Sequence, residues 1–188
     1  MRSDPRQFSE TITLRSGASA IVRAIRPDDR ERLQTAFHAL DPESVYLRYF
    51  SYKAELTEAD LDRLCNPDFR ERVVLVVTQD NGGDEIIVGS GGYVAHAAAD
   101  GARVAEVAFA VEEDVHGQGI SSRLLAVLAE MARADGIARF DAEVLSRNAA
   151  MLHVFEHSGL AMQVQPEEDG VVRLSLSLAA ATPPDVSR

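Results

Sequence analysis

Val104-Ala-Glu-Val-Ala-Phe-Ala-Val-Glu-Glu-Asp-Val-His-Gly-Gln-Gly-Ile-Ser-Ser-Arg-Leu-Leu125 is the stretch that decides the fold. Its first part belongs to an apolar run over 103–111 that reads as a strand. Leu124, Leu125, Leu128 and Met131 form the apolar stripe of a helix expected over 117–134, with Gly136 as its stop. Gly117 and Gly119 lie at the junction. Glycine there lets the chain turn tightly and lets a ligand approach the backbone. The first helical turn leaves amide N–H groups unpaired, and together with the helix dipole they form an anion site that needs no basic side chain. Ser121 and Ser122 add hydroxyl donors and Arg123 adds a charge.

Known phosphate loops narrow the reading. A Walker loop is excluded because no Gly-Lys-Ser/Thr follows. A dinucleotide fingerprint would carry glycine where Ser122 stands and would normally fall in the first strand–helix unit. The plain alternative is an ordinary strand–helix turn that contains two glycines.

Outward from this junction the chain reads as a mixed α/β order. Residues 11–14 and 18–25 form a hairpin about Ser16-Gly17. Pro27, Asp28 and Asp29 open a helix that carries Leu33, Phe37 and Leu40 on one face. A short helix is expected over 43–50. Thr57 is the N-cap of another, which ends near Cys65. Strands follow over 73–78 and 86–95, the second interrupted by Gly89, Gly91 and Gly92, where glycine marks a bulge or a close backbone approach. After the central helix come a strand over 139–145, a helix over 147–157 and paired strands over 161–165 and 171–178. The expected fold is α/β (α+β), one layered sheet with helices on both faces. A single domain spans 1–178, with 1–10 flexible and 179–188 a flexible tail.

The chain has 188 residues, of which 46% are hydrophobic, enough for one compact domain. No apolar run reaches the roughly 20 residues of a membrane helix, and the polar N-terminus lacks the apolar core of a secretory signal. Cys65 is the sole cysteine and cannot form an internal disulfide. The expected setting is cytoplasmic. Thirty acidic against nineteen basic residues, a net charge of −11, argue against nucleic acid and suit a cationic substrate.

The loop and its neighbours resemble the GNAT superfamily of acyl-CoA N-acyltransferases. The family's central motif, Gln/Arg-x-x-Gly-x-Gly/Ala, falls on His116-Gly117-Gln118-Gly119-Ile120-Ser121, matching at Gly119 and departing at His116 and Ser121. A later block, Val144 to Leu160, resembles the family's Asn-x-x-Ala/Met…Gly-Phe helix, with Asn148 at the asparagine that contacts the coenzyme arm. Residues 25–29 resemble the family's first strand-to-helix junction, and residues 40–50 resemble a segment of the branch of bacterial protein lysine acetyltransferases. The resemblance covers roughly residues 12–178. It implies a mostly antiparallel central sheet and acetyl-CoA as acyl donor, with no metal. The coenzyme pyrophosphate would rest on His116, Gly117, Gln118, Gly119, Ile120, Ser121 and Ser122. A protein lysine acceptor is implied, such as one on an acyl-CoA synthetase, with a small amine or antibiotic as the alternative and a homodimer left open. A CoA-binding regulatory module without catalysis is the non-enzyme alternative.

An ammonium has no lone pair, so attack on a thioester needs a base near the acceptor nitrogen. Glu106, in an otherwise apolar strand, is expected to be that base, partly desolvated. The branch it resembles places its catalytic glutamate at the matching position. The N–H of Phe109 or Val111, where the strand parts from its neighbour, would stabilise the developing oxyanion. Many members carry a proton-donating tyrosine where Phe155 stands, which leaves Tyr93 and His116 as substitutes. Glu112, Glu113 and Asp114 read as a solvated turn. His153 and His157 stand at i and i+4, but without a His-Glu-x-x-His pattern no metal is expected. Cys65 reads as structural.

Overall fold

The computed structural model describes residues 4–40, Pro42, Val45 and residues 54–179. Strands β1 (Ser9–Thr13), β2 (Ser19–Ala24), β3 (Arg72–Asn81), β4 (Asp84–Ala97), β5 (Arg103–Val111), β6 (Arg139–Leu145), β7 (Met162–Val164) and β8 (Val171–Ser177) form one sheet in the order β1-β2-β3-β4-β5-β6-β8-β7. Every neighbouring pair is antiparallel except β5–β6. Among the described residues the helices α1 (Arg30–Ala39), α2 (Glu58–Cys65), α3 (Ile120–Ala134) and α4 (Ala149–Glu156) pack with this sheet. This is the mixed, mostly antiparallel sheet expected.

Several boundaries differ from the sequence reading. β1 begins at Ser9, preceded by a 3-10 turn over Pro5–Gln7, so the sheet reaches into the stretch expected to be flexible. The helix expected over 43–50 falls outside the described residues, except for Val45, which is buried. The helix expected from residue 117 begins at Ile120, because Gly117 (φ 71°) and Gly119 (φ 89°) both take the left-handed conformation, which a helix cannot contain. The late helix begins at Ala149 instead of 147, since Asn148 caps it by accepting the Met151 N–H at 3.1 Å. Among the described residues no helix is long and apolar enough to cross a membrane.

Arg23 and Asp29 join β2 to α1. Both are buried, and the guanidinium grips the carboxylate with bonds of 2.7 and 2.8 Å. Asp29 also accepts the Arg26 N–H at 2.8 Å, so it caps the 3-10 turn over Pro27–Asp29 that leads into the helix. Burial by itself would raise the Asp29 carboxyl, but hydrogen bonds from Arg23 and the Arg26 amide outweigh it and hold the group below its usual range. Thr57 and Asp60 close a capping box at the start of α2.

The β4 glycines meet the expectation of a bulge and close approaches. The β3–β4 register slips between Val77 and Thr78, which face Gly89 and Ile87 and leave Val88 as the extra residue. A Cβ on Gly91 would lie 2.7 Å from the Phe109 ring, and one on Gly92 would lie 2.4 Å from the Val73 carbonyl oxygen.

Candidate active site

The site follows from two strands that part. β5 and β6 pair only where Val104, Ala105 and Glu106 face Arg139, Phe140 and Asp141. β5 then follows β4 as far as Val111, while β6 stays with β8 as far as Leu145, so a cleft opens between them. Strand alternation decides which backbone groups enter the cleft. The Arg103 carbonyl bonds toward β6 and the Glu112 N–H bonds toward β4, so the N–H groups of Phe109 and Val111 point to the open side. The cleft encloses about 330 Å³. Residues 107–111 form one wall, residues 142–144 the other, the glycine loop one end, and Asn148, Met151 and Phe155 lie along α4.

The amides of the loop can hold an anion. Among the described residues the N–H groups of 117–122 have no backbone partner, whereas Arg123 already donates to the Gly119 carbonyl at 3.0 Å. A Cβ added to Gly117 or Gly119 would meet nothing within 4 Å, so positive φ, not crowding, demands glycine there. Ile120 is buried, and only its amide faces the loop. Ser121 is half-buried and Ser122 exposed.

His116 and Gln118 also have partners that the sequence reading did not name. The His116 N–H is spent on the Glu113 carbonyl at 3.0 Å, and its ring Nε2–H donates to the Val111 carbonyl at 2.8 Å. It therefore closes the loop. The Gln118 side chain accepts the Ser16 N–H at 2.8 Å, and Arg15 donates to the Gly117 carbonyl at 3.0 Å. Arg123, read as a charge for the anion, is paired with Glu10. The first hairpin thus anchors the glycine loop. Arg15 lines the cleft and carries the one permanent positive charge among the described residues that do. The sequence offered no cue for it, because a contact across 102 positions has no local pattern.

A second cavity of about 450 Å³ lies on the opposite face of β5, beneath α1 and α2. Glu106, Ala108, Ala110 and Glu112 form its floor along β5, as a strand's two-residue period requires. Leu40, Ala108 and Ala110 line both cavities, so the two meet at the point where β5 parts from β6. Glu106 is exposed, not partly desolvated as expected, because its face of β5 opens into this cavity. Glu112 is half-buried at the far end of the same floor. Burial, reinforced by the like charges of Asp114 and Glu113, raises its carboxyl above the ordinary range. Read from the sequence as part of a solvated turn, it is a cavity residue.

Phe155 is buried and packs edge-on against Phe109, with ring centroids 6.1 Å apart. Tyr93 is sealed against Phe140, and desolvation pushes its phenol above the ordinary value, which suits a core ring better than a proton donor. Cys65 is buried, and desolvation raises its thiol to about 11, which fits a structural role.

The acetyltransferase (GNAT) domain model matches residues 20–161. Acetyltransferase Pat of Mycolicibacterium smegmatis is 32% identical over 161 residues, which is 86% of this chain and 46% of that protein. The chain therefore spans about half the length of this relative. The crystal structure of the GNAT domain of S. lividans PAT superposes with a TM-score of 0.78 at 36% identity, covering 90% of this chain and 96% of that one. Salmonella typhimurium yncA, solved with its cofactor acetyl-CoA, shares the fold with a TM-score of 0.65 at 18% identity, over 89% of this chain and 99% of that one. The chain belongs to the GNAT family of acetyltransferases.

Proposed function

We propose that the protein transfers the acetyl group of acetyl-CoA to the side-chain amine of a protein lysine, with Glu106 as general base. The observation that carries this reading is the meeting of two cavities across β5 at Ala108 and Ala110. The donor enters from the cleft, its pyrophosphate on the amides of 117–122 and its pantetheine arm between β5 and β6 beside Asn148. Asn148 uses its carbonyl oxygen to cap α4, so its amide N–H groups are what remain for the arm. The acceptor enters from the opposite face, over a floor with a carboxylate at each end.

In the reaction Glu106 takes a proton from the ammonium. The freed nitrogen attacks the thioester carbonyl, and the oxyanion rests on the Phe109 or Val111 N–H. The attached nitrogen gives its second proton to solvent as the C–S bond breaks, which leaves an amide and the CoA thiolate. With Phe155 where many relatives carry tyrosine, the thiolate takes its proton from solvent. No covalent enzyme intermediate forms.

An acidic chain facing a cationic lysine supports this acceptor, as does the resemblance of residues 40–50 to bacterial protein lysine acetyltransferases. The deciding experiment incubates the protein with acetyl-CoA and two acceptor sets, lysine-bearing proteins including acyl-CoA synthetases and a panel of small amines. Acetyl-lysine formation matched by free CoA supports the proposal. Transfer to small amines alone would replace the acceptor, and binding of acetyl-CoA without turnover on either set would replace the enzyme with a binding module.

A further inference from the structure

We propose that His153, Glu156 and His157 form a binding site for a zinc-type divalent ion on α4, at the rim of the donor cleft. Nothing in the acetyl-transfer reading requires it, and it stands on separate observations. The three residues fall at i, i+3 and i+4, one face of a helix and the turn that ends it. Each offers one ligand atom, and all three atoms lie within 4.8 Å of one another. Tetrahedral ligands about 2.0–2.2 Å from a zinc ion lie closer together than that, by a difference that small side-chain rotations close. All three side chains are exposed and can make them.

The tautomer is already set. The Nδ1–H of His157 donates to the His153 backbone carbonyl at 2.9 Å, which leaves Nε2 as the lone-pair nitrogen. A ring hydrogen bond of this kind is what usually orients a metal-binding histidine. The two imidazoles are in contact, with centroids 3.9 Å apart and planes tilted by 34°. Two imidazoles and one carboxylate suit zinc and its transition-metal neighbours, with a fourth position left for water. Magnesium and calcium seek oxygen-rich shells and do not match this donor set. His153 also lines the donor cleft, so the ion would sit where the coenzyme enters. The sequence pattern of two histidines four apart pointed to the pair. Glu156 is the third ligand that pattern reasoning did not supply.

The test uses the full, untagged chain. Zinc is titrated in competition with a chromophoric chelator, and cobalt(II) is added separately to read coordination from the visible spectrum. One equivalent of zinc per chain is expected, with the intense visible bands of four-coordinate cobalt and no comparable magnesium binding. His157→Ala and Glu156→Ala, both on the exposed face, should each weaken zinc by about tenfold or more while leaving the far-ultraviolet circular dichroism unchanged. Binding that is weak and without stoichiometry would overturn the proposal. So would equal affinity in His157→Ala, which would mark an adventitious ion held by other histidines.

Discussion

The guanidinium of Arg15 donates to the carbonyl oxygen of Gly117 at 3.0 Å and fastens the first hairpin to the loop on which the donor's pyrophosphate is proposed to sit. Arg15 therefore has two roles. It fixes the loop's conformation, and it brings a positive charge to a cleft whose host chain carries a net charge of −11.

Arg15→Ala should raise the KM for acetyl-CoA by about tenfold, the worth of one charge-assisted contact, while kcat changes little. Steady-state kinetics with varied acetyl-CoA checks this. A fall in kcat at constant KM would show that the hairpin acts on the chemistry and not on the donor.

Gly92→Ala should destabilise the fold by about 1–3 kcal/mol, because a Cβ there would stand 2.4 Å from the Val73 carbonyl oxygen, and backbone cannot swing aside. Thermal melting of the variant reads the loss directly. An unchanged melting temperature would mean that β3 and β4 can separate without penalty.

Asp29→Asn should cost about 3 kcal/mol or more, since it takes the buried carboxylate from the buried Arg23 guanidinium and leaves only the half-buried Glu85 as counter-charge. The sign of the pH dependence follows from the lowered Asp29 carboxyl. The pair's stabilisation is full above the unfolded carboxyl value of about 3.9 and is lost as pH falls through the lower folded value. Denaturant titrations from pH 7 down to pH 3 should show the gap between the native protein and the variant narrowing in acid.

Glu112 carries the opposite sign. Its folded carboxyl lies above the ordinary range, so stability falls as pH rises from the unfolded carboxyl value and the loss is complete once pH exceeds the folded one. Glu112→Gln should raise the melting temperature by about 1–3 °C at pH 7 and leave it unchanged near pH 4, where the native carboxyl is already neutral. A variant that melts lower at pH 7 would show that the carboxylate has a stabilising partner.

Local signals account for what could be read in advance. Gly117 and Gly119 marked the strand–helix junction because positive φ leaves its trace in residue type, and Gly91 and Gly92 marked close approaches for a related reason. Thr57 marked a helix start through the same local chemistry. What could not be read depends on distant pairing. Arg15 at Gly117, Ser16 at Gln118 and Glu10 at Arg123 meet only because β1 and β2 fold against the loop. The exposure of Glu106 and the burial of Glu112 exchange the expected environments of two glutamates, since each depends on how far α1 and α2 cover the β5 floor. His116 looked like a weakened motif position, yet it closes the loop through the Val111 carbonyl.

Glu106→Gln tests the central claim most directly, because glutamine keeps the shape of the side chain and removes its basicity. Acetyl transfer to a lysine acceptor and acetyl-CoA affinity are measured together on the native protein and the variant. Turnover should fall by about 10²–10⁴-fold, the usual contribution of a general base, while acetyl-CoA affinity stays within about threefold. Undiminished turnover in the variant would contradict the assignment of Glu106 as the base.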